Sequence, residues 1–463
     1  MNCRETGSGV SKPRNTGKPE TECRNQGNKK GYEGRNGFME VGQRGKFHYA
    51  WLILAGCCIL QGASLGLVNN CAGVFFSPVC EELGFEMGEL TFYRTLYALS
   101  SAAAMPVVAW LLLRADVRAV IGAAAVVYGA STAAMGLSSE LWQWYAAGIF
   151  QGFSSSFLCT LPAPILLGNW FKKNTGTVIG IAAVFSGFMG MLGSAGFGFA
   201  IPAIGWRASY LLQGLLAAGL ILPVAILILR YRPEDMGLHA YGEDPEEERK
   251  NQVQEQKAAA REKSQETHAG LSVLFRQPVF YMSILIYASS CAGAYLNSFL
   301  PGRGMEAGMT LSMAAMLTSL ALFGNMFSKL FLGRLCDVCG VVLVFAAAAF
   351  AAAAGHLLLL SSLPAVIMTG ACIYGITMPL STVLLPLFGR IFWKGDAYGT
   401  AFSYVSMAGT LLASPFNMLF GQFYDMTGSY RMTIIVSGCL VLLTFLLVCA
   451  AGRGELRPRR QGR

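Results

Sequence analysis

The chain has 463 residues, 54% of them hydrophobic and 13% charged, about half the charge of a typical soluble domain. At this length a soluble protein would hold roughly three domains, yet the apolar residues come in long blocks without the 3.6-residue alternation of soluble helices. Blocks of about 20 apolar residues suit a bilayer core, so the composition excludes an ordinary soluble protein. The net charge of +9 would suit a nucleic acid, but its distribution along the chain argues against such a partner.

Residues 1–46 are polar, rich in Gly, Asn and Arg, and read as a disordered basic arm. They hold no apolar stretch followed by a small-residue cleavage site, so the first span is expected to insert uncleaved. Met39 lies close enough to the membrane-like sequence to be an alternative start. Spans are expected at 50–75, 91–113, 117–137, 141–170, 176–203, 209–229, 280–300, 311–332, 338–360, 364–388, 397–424 and 432–451. With twelve spans, all but Arg94, Arg207, Arg303 and Arg431 of the 35 basic residues fall on the side of the termini. Lys and Arg concentrate on the cytoplasmic side, which places both termini in the cytoplasm and the chain in the cell membrane. Glu81, Glu82, Glu86 and Glu89 crowd the first outer loop.

Residues 230–276 are the only long polar segment inside the helical body and read as a partly helical linker between a bundle at 47–229 and another at 277–452, with a basic tail at 453–463. A repeat supports two halves. Gly176-Thr177 matches Gly399-Thr400, Gly198 matches Gly421 and Gly205 matches Gly428, all at an offset of 223 residues. Trp170-Phe171-Lys172 and Phe392-Trp393-Lys394 close the fourth and tenth spans alike. The expected fold is an all-α membrane protein of twelve transmembrane helices in two pseudo-symmetric six-helix bundles, with a solute site between the repeats.

Gly333, Arg334, Asp337 and Gly340 lie between the eighth and ninth spans as Gly-Arg-Leu-Cys-Asp-Val-Cys-Gly. This run resembles the cytoplasmic signature of the major facilitator superfamily, in which the glycines let helices approach and the acid latches one conformation. The first half has a degraded copy at 109–118, where Leu113 stands in place of the acid. After the sixth span, Arg232-Pro233-Glu234-Asp235-Met236-Gly237-Leu238 resembles the oxalate/formate antiporter and monocarboxylate porter branch, as do Trp51 and Trp170-Phe171. The resemblance covers about 49–451 and implies alternating access around a site lined by the first, fourth, seventh and tenth helices, in a carrier able to work as a monomer. Oxalate carriers of the branch hold an Arg in the eighth helix and a Lys in the eleventh. This chain has neither: Lys329, one turn before Gly333, suits the interface.

Candidate solute contacts are Arg94, Gln61, Asn69, Gln151, Tyr287, Tyr295, Asn297, Asn325, Tyr374 and Tyr404. Each polar group in hydrocarbon needs a partner, whether another helix or a solute. Arg94, between Tyr93 and Tyr97, is either an anchor at the outer boundary or a ligand for an anion. No Asp or Glu falls within the expected spans, which removes the usual proton-carrying carboxylate, and His356 sits in a peripheral span. The scattered cysteines read as small hydrophobes, and Cys336 and Cys339 lack the further ligands of a zinc site. No nucleotide-binding loop, metal cluster or nucleophile–base pair is present, so neither a cofactor nor an enzyme is expected. A small-molecule carrier for a monocarboxylate, by exchange or uniport, is the favoured expectation. Drug efflux and a transporter-like sensor are the alternatives; the fifth span has the glycines of a sliding face but lacks the proline of the drug-antiporter signature.

Overall fold

The computed structural model describes residues 48–160, 162–173, 175–242, 276–393 and 396–452. The expected arm, most of the linker and the basic tail lie outside the described residues. Within them there is no strand, only one isolated bridge between Phe171 and Tyr241. In hydrocarbon a helix satisfies every backbone group internally, which is why apolar blocks of this length become helices.

Nine described stretches are long and apolar enough to cross a membrane: Tyr49–Leu83, Val117–Met135, Leu141–Trp170, Thr175–Ile228, Pro278–Glu306, Leu311–Cys339, Val341–Leu359, Pro364–Phe392 and Arg431–Gly452. Thr175–Ile228 turns at Gly205, where φ is 82°, and so supplies the fifth and sixth spans. The second span is Met87–Arg114. The eleventh is Asp396–Ala413 followed by Phe416–Thr427, interrupted beside Pro415. Twelve spans in two six-helix bundles result. The second span begins before the expected residue 91, and the eleventh runs past 424 until Gly428 turns the chain at φ 65°.

The repeat is visible in the packing. Gly205 and Gly428 both adopt the left-handed backbone that a non-glycine residue takes only with strain. In the first half Glu82 accepts hydrogen bonds from Trp206 Nε1 (2.7 Å) and Arg207 Nε (3.1 Å), beside the first of these turns. In the second half Glu306 accepts from the Ser429 hydroxyl (2.5 Å) and the Tyr430 amide (3.0 Å), beside the other. Arg207 and Arg303, which break the charge rule of the sequence, are thus struts within their own halves. Arg303 also donates to the carbonyls of Leu359 and Ser361 and lies 3.5 Å from Glu306.

Several spans are not regular helices, the sixth among them, with a π-helical turn at Val224–Ile228. π-helical turns interrupt the first span at Gly62–Asn69, the fourth at Ser156–Thr160 and the tenth at Leu380–Leu384; a 3₁₀ turn interrupts the seventh at Leu296–Phe299. Such irregularities frequently mark functional sites, because they re-aim side chains and free backbone groups.

The halves meet at the end remote from the chain termini, here called the far end. Gly198 of the fifth span packs on Ala315 and Ser312 of the eighth, and Gly421 of the eleventh packs on Gly88 and Thr91 of the second. A Cβ at either glycine would lie 2.5–2.6 Å from its neighbour, so the small residue is what allows the approach. Hydrogen bonds reinforce both seams: Ser194 to the Ala315 carbonyl, Ser312 to that of Gly198, Ser319 to that of Met191 and Thr95 to that of Ser414. The second span starts without a side-chain cap of its own. Asp425 of the opposite half fills that role, accepting from the amides of Met87 (2.8 Å) and Gly88 (2.6 Å), where the helix dipole favours negative charge. Toward the termini, a Cβ added to Gly176, Gly180 or Gly333 would meet nothing within 4 Å.

Asp425→Ala removes a charged cap that bridges the halves, a contact that contributes about 2 kcal/mol. The expected outcome is a roughly thirtyfold population shift toward far-end opening. Paired spin labels on the 84–86 and 428–430 turns would report it, and an unchanged distance distribution would contradict the bridging role.

Candidate functional site

Gln61, Leu65 and Asn69 recur every four residues on the first span and are partly exposed, although the residues between them are buried. This spacing sets them on one face. Gln61 Nε2 donates to the Cys159 carbonyl in the π-turn of the fourth span (2.9 Å). Asn69 Oδ1 is buried without a hydrogen-bond partner. Beneath them the Tyr128 hydroxyl donates to the Ser64 carbonyl (2.8 Å) and Cys159 Sγ to the Ser64 hydroxyl (3.0 Å), fixing the wall between the first, third and fourth spans.

Arg94 stands on the second span. Arg94 lies two turns inside that helix, about 10 Å along it from Met87. It is partly buried, its guanidinium carbon is 5.2 Å from the centre of the Tyr97 ring, and its Nε is buried without a hydrogen-bond partner. The Tyr93 hydroxyl lies close to it. The hydroxyls of Tyr97 and, from the opposite half, Tyr295 lie within reach of its charge. Among the described residues no carboxylate pairs with it, in contrast to Arg207 and Arg303.

In the second half Tyr287 and Tyr295 lie on the seventh span beside Cys291, and both are partly exposed. Tyr287 contacts Thr410 and Tyr295 contacts Asn417, both on the eleventh. Asn297 Nδ2 donates across the axis to the Asn70 carbonyl (3.3 Å), and its Oδ1 is left unpartnered. Asn325 Oδ1 is likewise buried and unpartnered, on the eighth span where Gly375 packs against its backbone. The tyrosines, Asn297 and Arg94 therefore form one polar zone beneath the far-end closure.

Other candidates are occupied elsewhere. Gln151 Nε2 donates to the Thr132 hydroxyl (2.9 Å), joining the third and fourth spans. The Tyr374 hydroxyl donates to the carbonyls of Ala294 (2.8 Å) and Gly293 (3.2 Å), and its ring packs edge-on against His356. Both ring nitrogens of His356 are engaged, by the Ala352 carbonyl and the Ser437 hydroxyl. Tyr404 is 37% exposed on the eleventh span. Lys329 is partly exposed near the terminal end, and Arg334 and Asp337 are exposed, with no ion pair among the described residues. Sequence reading overlooked Asp425, Asn417, Cys291 and Thr410. Only the aromatic run around Arg94 gave a local signal for this zone.

The sequence profile of the Major Facilitator Superfamily matches residues 58–384. The chain belongs to this superfamily of membrane transporters. No curated protein matches it. Among solved structures it is similar to a bacterial homologue of the human lysosomal transporter Spinster in an inward-facing, unoccupied conformation: TM-score 0.65, 16% identity, covering 89% of this chain and 99% of that one. It is also similar to the nucleoside transporter NupG in mutant form (TM-score 0.66, 10% identity, 87% and 99% covered). A D-xylose–proton symporter gives a TM-score of 0.65 at 12% identity, with 86% and 97% covered. At these identities the likeness establishes the shared fold alone.

A buried cation without a counter-ion destabilises the protein that holds it. Arg94→Gln is therefore expected to raise the melting temperature of the ligand-free protein by a few degrees. Arg303→Gln, which removes the cation beside Glu306 and the donors to the Leu359 and Ser361 carbonyls, is expected to lower it. Thermal melts in one detergent would check both, and a lower melting temperature for Arg94→Gln would mean that protein groups already satisfy its charge.

Proposed function

We propose that the chain is a secondary transporter of a small organic monoanion, a monocarboxylate, moved by alternating access. The observation that carries this reading is Arg94, a guanidinium inside the membrane span with an unpartnered Nε, among tyrosine hydroxyls from both halves and without a carboxylate partner. A planar guanidinium matches one carboxylate in a bidentate pair. A single such group favours one negative charge over two, since the second carboxylate of a dianion such as oxalate would enter low dielectric unpaired. Lipophilic cations would be repelled by it, which counts against cationic drug efflux.

The two bundles, 47–229 and 277–452, act as the rocking bodies, joined by the linker at 230–276. The glycine seams and Asp425 close the far end, while Gly333, Arg334, Asp337 and Gly340 form the latch of the opposite state, released here. The charge bias of the loops makes the terminal end cytoplasmic, so the site opens inward. Exchange follows from the same cation. An empty carrier must pass through its occluded state with Arg94 uncompensated, whereas a bound carboxylate neutralises it, so return is faster loaded. The contact set in this reading is Arg94, Gln61, Asn69, Tyr287, Tyr295, Asn297 and Asn325, with Tyr404 on the entry path. Gln151 and Tyr374 support the walls. Similar structures named for nucleosides and D-xylose favour a small organic solute and are neutral on its charge.

Purified protein in liposomes preloaded with a monocarboxylate would be tested for uptake of the same labelled compound. The expected result is counterflow of one monocarboxylate class, poor competition by dicarboxylates and no uptake of lipophilic cations. Loss of two charge-assisted hydrogen bonds in Arg94→Gln should raise the half-saturation concentration roughly a hundredfold. Binding without any flux would transfer the assignment to a sensor, and cation uptake to efflux.

A further inference from the structure

A second basic site lies at the terminal end, away from the solute path. The turn between the second and third spans and the segment that follows the sixth span enclose a cleft of about 360 Å³ lined by Leu112, Arg114, Asp116, Arg118, Arg230 and Asp235, among others. Three guanidinium groups and two carboxylates therefore meet there. The carboxylates are engaged in local structure. Asp116 caps the third span through the Arg118 amide (3.0 Å) and approaches the Arg118 guanidinium at 3.7 Å, while Asp235 accepts from the Arg232 amide (3.2 Å). Arg118 Nε makes no hydrogen bond, its nearest acid being Asp116 at 3.7 Å, and the Arg118 side chain is 42% exposed.

The far wall is rigid. The Trp170 indole donates to the Arg230 carbonyl (3.0 Å), Asn169 to the Tyr231 carbonyl (3.0 Å), and Tyr241 pairs with the backbone at Trp170 and Lys172. Arg230 is thereby held in place rather than swinging with a loose linker. The sequence explains why positive charge is left over. The equivalent turn of the second half carries Asp337 four residues after Gly333, whereas the first half carries Leu113 four residues after Ala109. The acid of the second half's turn has no counterpart at that position in the first.

The cleft lies at the terminal end of the second span. Immediately above it Trp110 is 53% exposed, and the Arg114 guanidinium stacks on its ring at 4.8 Å. An exposed Trp beside Arg at a span end is the pattern of the bilayer interface. We propose that this cleft binds the phosphate headgroup of an anionic phospholipid, which answers the excess of guanidinium groups over carboxylates there and ties the first bundle to the membrane surface. The phosphate would be held by Arg114, Arg118 and Arg230 while its acyl chains run past Leu112 and Trp110. This site is independent of the solute reading and stands or falls without it.

The experiment follows melting of the full chain in mixed micelles titrated with phosphatidylglycerol, with phosphatidylcholine, or with inorganic phosphate. Phosphatidylglycerol is expected to raise the melting temperature saturably while phosphatidylcholine does not. Each of Arg118→Gln and Arg230→Gln should weaken that response about fivefold, as expected for one basic residue at an anionic surface. Asp116→Asn, which lowers the opposing charge and keeps an acceptor for the helix cap, should strengthen it. Lys172→Gln with Lys173→Gln, exposed on the same surface but outside the cleft, should leave it unchanged. Equal stabilisation by inorganic phosphate would overturn the lipid assignment in favour of a soluble anion. A response that falls as much in the lysine variants as in the arginine variants would overturn the site itself.

Discussion

The far-end contact between the two halves governs the rest of the molecule. The fifth span meets the eighth and the second meets the eleventh at distances that leave no room for a Cβ at Gly198 or Gly421. Between helices in lipid there is little hydrophobic drive, so close approach and the hydrogen bonds it permits are what hold them together. Asp425 adds a charged contact across this closure, by capping a helix whose own entry residue makes no cap. The polar zone of Arg94, Tyr295 and Asn297 lies beside this closure, where Asn297 donates to the Asn70 carbonyl of the other half.

Charge inside the bilayer separates structural from functional residues here. Arg207 and Arg303 each have a glutamate and several carbonyls, which turns them into struts for the far-end turns. Arg94 has aromatic faces and hydroxyls but no carboxylate. The same sorting divides the neutral polar groups. Gln151, Tyr374 and His356 spend their hydrogen bonds on neighbouring helices, whereas Asn69, Asn297 and Asn325 each keep an oxygen unpartnered. An unmade bond in low dielectric is expensive, so such groups are the ones for which a solute makes the largest difference.

The repeat is faithful where it bears load and relaxed where function has diverged. Glu82 and Glu306 brace equivalent turns, Gly205 and Gly428 turn them, and Gly198 and Gly421 seal equivalent seams. Against this symmetry the acid at Asp337 has only Leu113 opposite it, and the arginine-lined cleft lies on the side that lost the acid. Arg94, too, is present in one half alone.

Much of the fold was legible in the sequence because it rests on local rules. Apolar length dictates a spanning helix, glycine and proline mark where spans stop, and the bias of Lys and Arg marks the sides. The equivalences of Gly198 with Gly421 and Gly205 with Gly428 needed only numbering. Tertiary structure decided what those residues touch. No local rule reveals that Asp425 caps a helix more than three hundred residues away, that the Tyr374 hydroxyl is taken up by the carbonyls of Gly293 and Ala294, or that Arg94 lies two turns inside its helix and has no carboxylate partner among the described residues. A side chain's hydrogen-bond partners in a helical bundle are set by which helices cross at its height, and that is a property of the assembled bundle rather than of any stretch of sequence.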